Sequence, residues 1–104
     1  MGMIRDKATL LQGLALEALR RGADAIEVEY KDGCEQVFAV RDGVGYGIAR
    51  LDTSSDQAAS LRKELYGLTK KRRRIASGDV EFELRVRVCG SFGEDAFRVE
   101  MRRI

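Results

Sequence analysis

The feature that most limits the possible folds is the strict alternation of apolar and charged side chains over residues 80–88, VEFELRVRV. A period of two is typical of a β-strand that buries one face and exposes the other. Such a strand needs neighbouring strands and an apolar layer packed against the sheet. Its inward residues are predicted to be Val80, Phe82, Leu84, Val86 and Val88.

A second alternating stretch, residues 95–103, can return beside the first after a turn, CGSFGE. The charges on the outward face select the register of this hairpin. Arg85 opposite Glu100 and Glu83 opposite Arg102 place unlike charges together, whereas a shift of two residues places like charges together. Each cross-strand pair of unlike charge favours the first register by a few tenths of a kcal/mol, so that register is predicted. The inward residues of the returning strand are Phe97, Val99 and Met101.

Three further strands are predicted earlier in the chain, separated by two Asp-Gly pairs that are typical of tight hairpin turns. Apolar and acidic residues alternate over residues 25–30. Residues 35–40 form the second strand, which is apolar on both faces from Val37 to Val40, and residues 44–50 follow the second turn. A strand that is apolar on both faces is predicted to lie in the centre of a sheet. The turns are predicted at Asp32-Gly33 and Asp42-Gly43.

Two stretches have apolar residues at helical spacing. Residues 4–21 are predicted to form the first helix, which ends at Gly22, and residues 52–70 the second. Ser54, followed three residues later by Gln57, fits a capping box at the start of the second helix. The predicted buried stripe of the first helix is Ile4, Ala8, Leu11, Leu14 or Ala15, and Ala18 or Leu19. That of the second is Ala58, Leu61, Leu65 and Leu68.

The element order αβββαββ predicts an α+β fold, with a mostly antiparallel sheet covered by two helices. The length of 104 residues suits one domain over residues 1–104, in which residues 1–3 are interpreted as disordered or as an added remnant. The net charge of +2 does not by itself indicate a polyanionic partner. No apolar run approaches the roughly 18 residues of a membrane span, so no membrane insertion is predicted. The protein is predicted to be cytoplasmic.

The residue types that most often carry catalysis and metal binding are scarce. The chain has no histidine, which excludes Ser–His and Cys–His catalysis. The isolated Cys34 and Cys89 lack the spacing of a zinc site, and a disulfide between them is not expected in the cytoplasm. The carboxylates have turn, cap or strand-surface explanations, so no acid–base pair stands out. The sequence therefore predicts no enzyme, no metal site and no cofactor.

The stretch VGYGIAR, residues 44–50, contains two glycines although glycine is a poor strand residue. Val44, Tyr46 and Ile48 are predicted to share one face, which leaves bare backbone at Gly45 and Gly47 on the other. A helix, a partner or a ligand could approach that backbone closely. A packed helix is predicted, since it is the simplest of the three, and a ligand there would suit small-molecule sensing.

The strongest local charge feature is the basic segment, residues 70–74, which consists of Lys70, Lys71, Arg72, Arg73 and Arg74. Cations suit the C-terminal end of a helix, and surface charge runs are usually solvated. A solvated helix end is therefore favoured over an acidic protein partner, and such a partner over nucleic acid. The GSFG stretch at 90–93 matches a nucleotide-clamping G-x-x-G loop only superficially, because it joins strands instead of helices.

Four short stretches agree in order and spacing with one known domain. LLQGLALEALRRGADAIEVEYKDG (10–33) is similar to its opening helix, strand and turn, and VRDGV (40–44) to its second turn. LRKELYGLTKKRRRIASGD (61–79) is similar to its later helix and the basic segment after it, and FGE (92–94) to its Tyr-Gly-Glu. Together they resemble, over about residues 5–102, the second N-terminal domain of secretion ATPases, the motors of type II secretion and type IV pilus assembly.

The resemblance implies a PAS-like fold that sits on an ATPase domain in a hexamer and supplies arginines to the nucleotide phosphates. The positions of those arginines match Val40, Leu61 and Val80, with Arg41 and Arg62 adjacent to the first two. The arginines do not carry over, and the chain has no Walker A loop. The resemblance therefore implies a non-catalytic protein-interaction domain with a secretion or pilus motor component as partner.

Two other functions are alternatives to protein interaction: nucleic-acid binding through the basic segment, and PAS-like sensing of a small molecule. Nucleic acid is disfavoured because the aromatic residues on predicted strands face mostly inward and offer no platform for stacking bases. Sensing depends on analogy with the fold alone. The oligomeric state stays open, and pairing through an exposed edge strand is one route to a dimer.

Overall fold

The computed structural model describes residues 9–91 and 94–104. These residues form two helices and six strands, which confirms the α+β class. The element order is αβββαβββ, with one strand more than predicted. The helices are α1 (Leu10–Arg20) and α2 (Asp56–Leu68), and the strands are β1 (Ala25–Lys31), β2 (Cys34–Arg41), β3 (Val44–Asp52), β4 (Arg73–Ser77), β5 (Val80–Ser91) and β6 (Glu94–Arg103).

The six strands form one sheet in the order β3-β2-β1-β6-β5-β4, and every neighbouring pair is antiparallel. The β5–β6 register places Arg85 opposite Glu100 and Glu83 opposite Arg102, as the charges predict. β2 lies inside the sheet, as its apolar composition predicts, and β3 and β4 are the two edges. The PAS-like description of this sheet stays a prediction.

The strand absent from the predicted order is β4. Its residues were predicted to form a basic helix end and a loop. Its only buried residue is Ile75, which lies between the half-buried Arg73 and Ser77. One buried apolar side chain beside cations gives no recognisable period of two, so the sequence pattern does not indicate a strand here. The predicted turn CGSFGE was also too long, because Gly90 pairs with Asp95 and Ser91 with Glu94. The connection itself, residues 92–93, lies outside the described residues.

Helix α1 begins at Leu10, later than the predicted start at residue 4. The side chain of Thr9 accepts a hydrogen bond from the backbone N–H of Gln12 at 3.1 Å, which is the arrangement of an N-cap. Ile4 and Ala8 of the predicted stripe lie outside the described residues. At the other end Gly22 has φ of 79°, which is the left-handed conformation that ends helices.

Helix α2 begins at Asp56, because Ser55 and not the predicted Ser54 is its N-cap. The Ser55 hydroxyl accepts a hydrogen bond from the backbone N–H of Ala58 at 3.1 Å. The predicted capping box of Ser54 and Gln57 is therefore wrong, because the N-cap lies one position later. The predicted buried stripe is confirmed in full: Ala58, Leu61, Leu65 and Leu68.

Ser54 instead holds the Asp52 carboxylate in the turn between β3 and α2. Its backbone N–H donates to Asp52 Oδ1 at 2.9 Å, and its hydroxyl donates to the same oxygen at 2.8 Å. These hydrogen bonds, the backbone one above all, lower the pKa of Asp52. A carboxyl group with a lowered folded pKa stabilises the fold above its unfolded pKa, and the contribution is lost as pH falls through the folded value.

We expect Ser54→Ala to raise the pKa of Asp52 toward the ordinary value of about 3.9, since one donor is removed and the remaining one is less well held. An NMR titration of the Asp52 carboxyl carbon measures this. Ser60→Ala, an exposed change elsewhere in α2, is the matched control and should leave the titration unchanged. An unshifted Asp52 in Ser54→Ala would contradict the assignment.

Both helices pack on the same face of the sheet, which we call the helix-covered face. α1 contributes Leu11, Leu14, Ala15 and Ala18, and α2 its whole stripe. From the sheet, the core takes Ile26, Val28, Val37, Ala39, Ile75, Leu84, Val86, Phe97, Val99 and Met101. Cα partners on neighbouring strands share a face. The opposite, open face therefore carries one row that runs Gly47, Phe38, Glu27, Arg98 and Arg87 across five strands.

Both predicted Asp-Gly turns are confirmed. Asp32 and Gly33 have φ of 54° and 78°, and Asp42 and Gly43 have φ of 53° and 79°. Two successive positive φ values are the signature of the type I′ turn, which matches the twist of a two-residue hairpin. The turns fix β1, β2 and β3 as a continuous antiparallel meander.

Candidate interaction site

The basic segment, residues 70–74, is divided by the fold instead of acting as one unit. Lys70, Lys71 and Arg72 lie in the connection from α2 to β4, and all three are exposed. Arg73 and Arg74 belong to β4 and point to opposite faces of the sheet. The segment is therefore not simply the solvated helix end that the sequence favoured.

Arg73 is a structural residue. It lies on the helix-covered face opposite Leu84. Its Nη1 contacts Glu64 Oε2 at 2.6 Å, and its Nη2 donates to Gln12 Oε1 at 3.3 Å. With these partners it links β4 to both helices. Its predicted part in partner binding stays a prediction.

Strand β5 supplies two further cations beside residues 70–72, and neither was predicted as a binding residue. Arg85 and Arg87 lie on the exposed part of β5 and line an open groove of about 500 Å³ with residues 68–72. We call this feature the cationic groove, and its cations are Lys70, Lys71, Arg72, Arg85 and Arg87. The outward position of the two arginines was predictable from alternation. Their place beside residues 70–72 was not, because it depends on the missed strand β4.

The charge of the cationic groove is only partly neutralised. Arg72 pairs with Glu83 at 3.5 Å, and Arg87 pairs with Glu100 at 3.7 Å. Lys70, Lys71 and Arg85 form no ion pair with any carboxylate whose side chain the structure describes. Three exposed, unpaired cations around one groove favour an anionic occupant.

The two glycines of β3 do not admit a helix, so that prediction is wrong. Gly45 and Gly47 lie on the open face, where the described part of the chain places no helix. A Cβ at Gly45 would lie 3.6 Å from Phe38 Cβ, and no described atom lies within 4 Å of a Cβ at Gly47. A distance of 3.6 Å is an ordinary contact, so the Phe38 side chain of β2 lies beside the glycines without requiring them. The face remains accessible at Gly47.

The face of β3 that carries Val44 and Tyr46 is only partly covered. Val44 and Tyr46 are 52% and 54% exposed, because the strand is an edge and runs past the helices. A second open groove of about 300 Å³ lies there, lined by Arg21, Ala23, Ala39, Arg41 and Tyr46. It lies on the face opposite Gly45 and Gly47, so it is not the ligand surface that the glycines suggested. Small-molecule sensing stays a prediction.

The two arginines adjacent to the nucleotide-reaching positions of the resemblance have ordinary structural surroundings. Arg41 is exposed and lies 3.9 Å from Asp42. Arg62 Nε lies 3.5 Å from Glu35 Oε1, and Thr53 donates to Glu35 Oε2 at 2.7 Å. Glu35 is only 6% exposed, so this pair holds α2 to β2.

Other candidate chemistry is sparse in the described part of the chain. Cys34 is half-buried and Cys89 exposed, and both are free thiols. Within residues 9–91 and 94–104, no group of three or more potential ligands is placed to bind a metal. Over the same residues, neither helix has the length and apolar character needed to cross a membrane. The FGE match of the resemblance begins at residues 92–93, outside the described residues.

Comparison with known proteins adds no family to this description. No protein-family model matches the chain, and no curated protein matches it either. The likeness to the N-terminal domain of secretion ATPases therefore remains a prediction from the sequence.

Proposed function

We propose that this chain is a non-catalytic protein-interaction domain that binds an acidic surface of its partner. The observation that supports the proposal is the cationic groove, in which Lys70, Lys71 and Arg85 form no ion pair with the described carboxylates. Opposite charge steers a partner to such a surface and fixes its orientation. The described lining of the groove contains no carboxylate, thiol or imidazole that would suggest a reaction.

The resemblance to secretion ATPases supplies the partner class in this proposal. A domain without the Walker A loop and without the three nucleotide-reaching arginines retains only the scaffold of those motors. Its partner is then a secretion or pilus motor component. Nucleic acid is the weaker occupant, because the described lining contains no aromatic side chain on which a base could stack.

Capture from a lysate of the source cells tests the proposal. The bait is the tagged chain, beside a groove variant with Lys70→Gln, Lys71→Gln and Arg85→Gln. A matched control removes the same charge at exposed sites on β1–β3, with Lys31→Gln, Arg41→Gln and Arg50→Gln. Bound proteins are identified by mass spectrometry, with and without nuclease treatment.

We expect a secretion or pilus motor component to bind the native chain and the control, and to be lost from the groove variant. Capture that survives in the groove variant would remove the groove from the proposal. Capture of nucleic acid alone, eluted by moderate salt, would overturn it in favour of nucleic-acid binding, since phosphate contacts depend steeply on salt.

A further inference from the structure

Strand β5 is much longer than its neighbour at the edge of the sheet. It runs Val80–Ser91, whereas β4 pairs with it only from Val80 to Leu84. Residues 85–91 pair with β6 on one side. On the β4 side, no strand of the described residues pairs with them. A strand edge with unpaired backbone N–H and C=O groups is a template for an added strand.

The cationic groove lies along this vacant edge. Residues 68–72 lead directly into β4, so the groove that they form with residues 85–87 lies on the β4 side of β5. The volume of about 500 Å³ is open to solvent and lies beside residues 85–87, beyond the point at Leu84 where the pairing with β4 ends. A strand added there would pair about 4.8 Å from β5, the usual spacing in a sheet.

The side chains along the edge specify the chemistry of the incoming strand. Arg85 and Arg87 point to the open face, and Val86 and Val88 to the helix-covered face. Val88 is 40% exposed, so apolar surface is left at this end of the sheet. A complementary strand alternates acidic residues, opposite the arginines, with apolar residues opposite the valines.

The sheet already contains this arrangement once, on the other side of β6. Glu27 of β1 is the Cα partner of Arg98 of β6, and the Arg98 Nη1 contacts Glu27 Oε2 at 2.7 Å. The strand β1 alternates glutamate with apolar residues in the sequence AIEVEY. A glutamate on an alternating strand of this sheet therefore pairs directly with the arginine opposite it on the neighbouring strand.

We propose that an extended segment of the partner, with acidic and apolar residues in alternation, adds to the sheet as a strand along residues 85–91 of β5. This inference rests on the proposed function and names the form of the partner's binding segment. A second copy of this chain is a poorer occupant, because pairing two β5 edges would bring the arginines of both copies together.

A synthetic peptide of sequence EVEVEVE, with blocked ends, is the probe for this site. Backbone amide exchange and chemical shifts of the full chain are followed by NMR during the titration. We expect slowed exchange at alternate amides of residues 85–91, because only those that point to the vacant edge gain a hydrogen bond. A peptide of the same composition in the order EEEVVVE, and an N-methylated EVEVEVE, are the peptide controls and should not slow this exchange.

Charge reversal with Arg85→Glu and Arg87→Glu should weaken EVEVEVE binding by about tenfold or more, and KVKVKVK should then bind instead. Arg41→Glu with Arg50→Glu, on the β3 side of the sheet, is the matched control and should bind as the native chain does. Circular dichroism confirms that each variant is folded.

Two results would overturn strand addition. Equal binding of the alternating, reordered and N-methylated peptides would show that the groove holds acidic chains by side-chain charge alone, which leaves the proposed function standing. Failure of EVEVEVE to bind at all would reject the β5 site, whereas the lysate capture decides the proposed function separately.

Discussion

Replacing Leu84 by alanine should lower the free energy of unfolding by about 2–5 kcal/mol, the usual range for a buried leucine. Leu84 is 0% exposed and lies on the helix-covered face, where it is flanked by Met101 of β6 and Arg73 of β4. The change removes buried apolar surface and leaves a cavity that the two neighbouring strands can close only partly. Urea denaturation followed by circular dichroism measures the loss.

Val44→Ala is the control for Leu84→Ala, because both remove methyl groups from a strand. Val44 is 52% exposed on the edge strand β3, so the expected change lies within about 0.5 kcal/mol. A loss below about 1 kcal/mol in Leu84→Ala would contradict the packing of β5 beneath the helices. That result would place the core elsewhere than the face described here.

Replacing Arg62 by methionine should cost about 2–3 kcal/mol. The change leaves Glu35, which is 6% exposed, with the Thr53 hydroxyl as its only described hydrogen-bond donor. Breaking a fully buried ion pair costs about 3–5 kcal/mol. The Arg62 side chain is 35% exposed, so water reaches part of it and the cost is smaller.

The double variant Glu35→Leu with Arg62→Met should be more stable than Arg62→Met alone. The Nη2 atom of Arg62 is buried and has no hydrogen-bond partner among the described residues, so the native pair carries a desolvation cost. Removing both charges removes that cost together with the attraction. Urea denaturation of the single and double variants measures the difference. A double variant that is less stable than Arg62→Met would contradict this expectation, because it would show that Glu35 stabilises the fold through Thr53 even without Arg62.

The sequence contains enough information for most of the sheet, and the reason is physical. The outward charges of β5 and β6 distinguish one register from the next, and Glu83, Arg85, Glu100 and Arg102 lie as those charges require. Asp-Gly pairs tolerate the positive φ that a type I′ turn requires at both central positions, so they favour that turn in both hairpins. Local chemistry of this kind does not depend on distant parts of the chain.

The errors arise where neighbouring elements decide the outcome. β4 has one buried residue, Ile75, and becomes a strand because the edge of β5 is available to pair with it. The glycines of β3 suggested a helix, but the order of the sheet places them beside Phe38 instead. Neither the pairing of β4 with β5 nor the neighbour of the β3 glycines can be predicted from one segment of the sequence alone.

Only part of the candidate site could be predicted, because its remaining residues come from a strand elsewhere in the chain. A run of cations is visible at residues 70–74, whereas the groove needs Arg85 and Arg87 from a strand that follows later in the chain. Charge counting also could not separate Arg73, which has partners in both helices, from Lys70 and Lys71, which do not. The two kinds of cation differ only once α2, β4 and β5 are placed together.

Arg73 joins β4 to Glu64 of α2 and to Gln12 of α1, so a single side chain fastens the last edge of the sheet to the helical layer. The cations at positions 70 and 71 have no such attachment among the described residues. Substitutions within the basic segment, residues 70–74, are therefore subject to two different constraints. The outer charges can change with the proposed partner, whereas position 73 needs a guanidinium whose two terminal nitrogens reach both helices. Within one short basic stretch, affinity and stability can thus be altered independently.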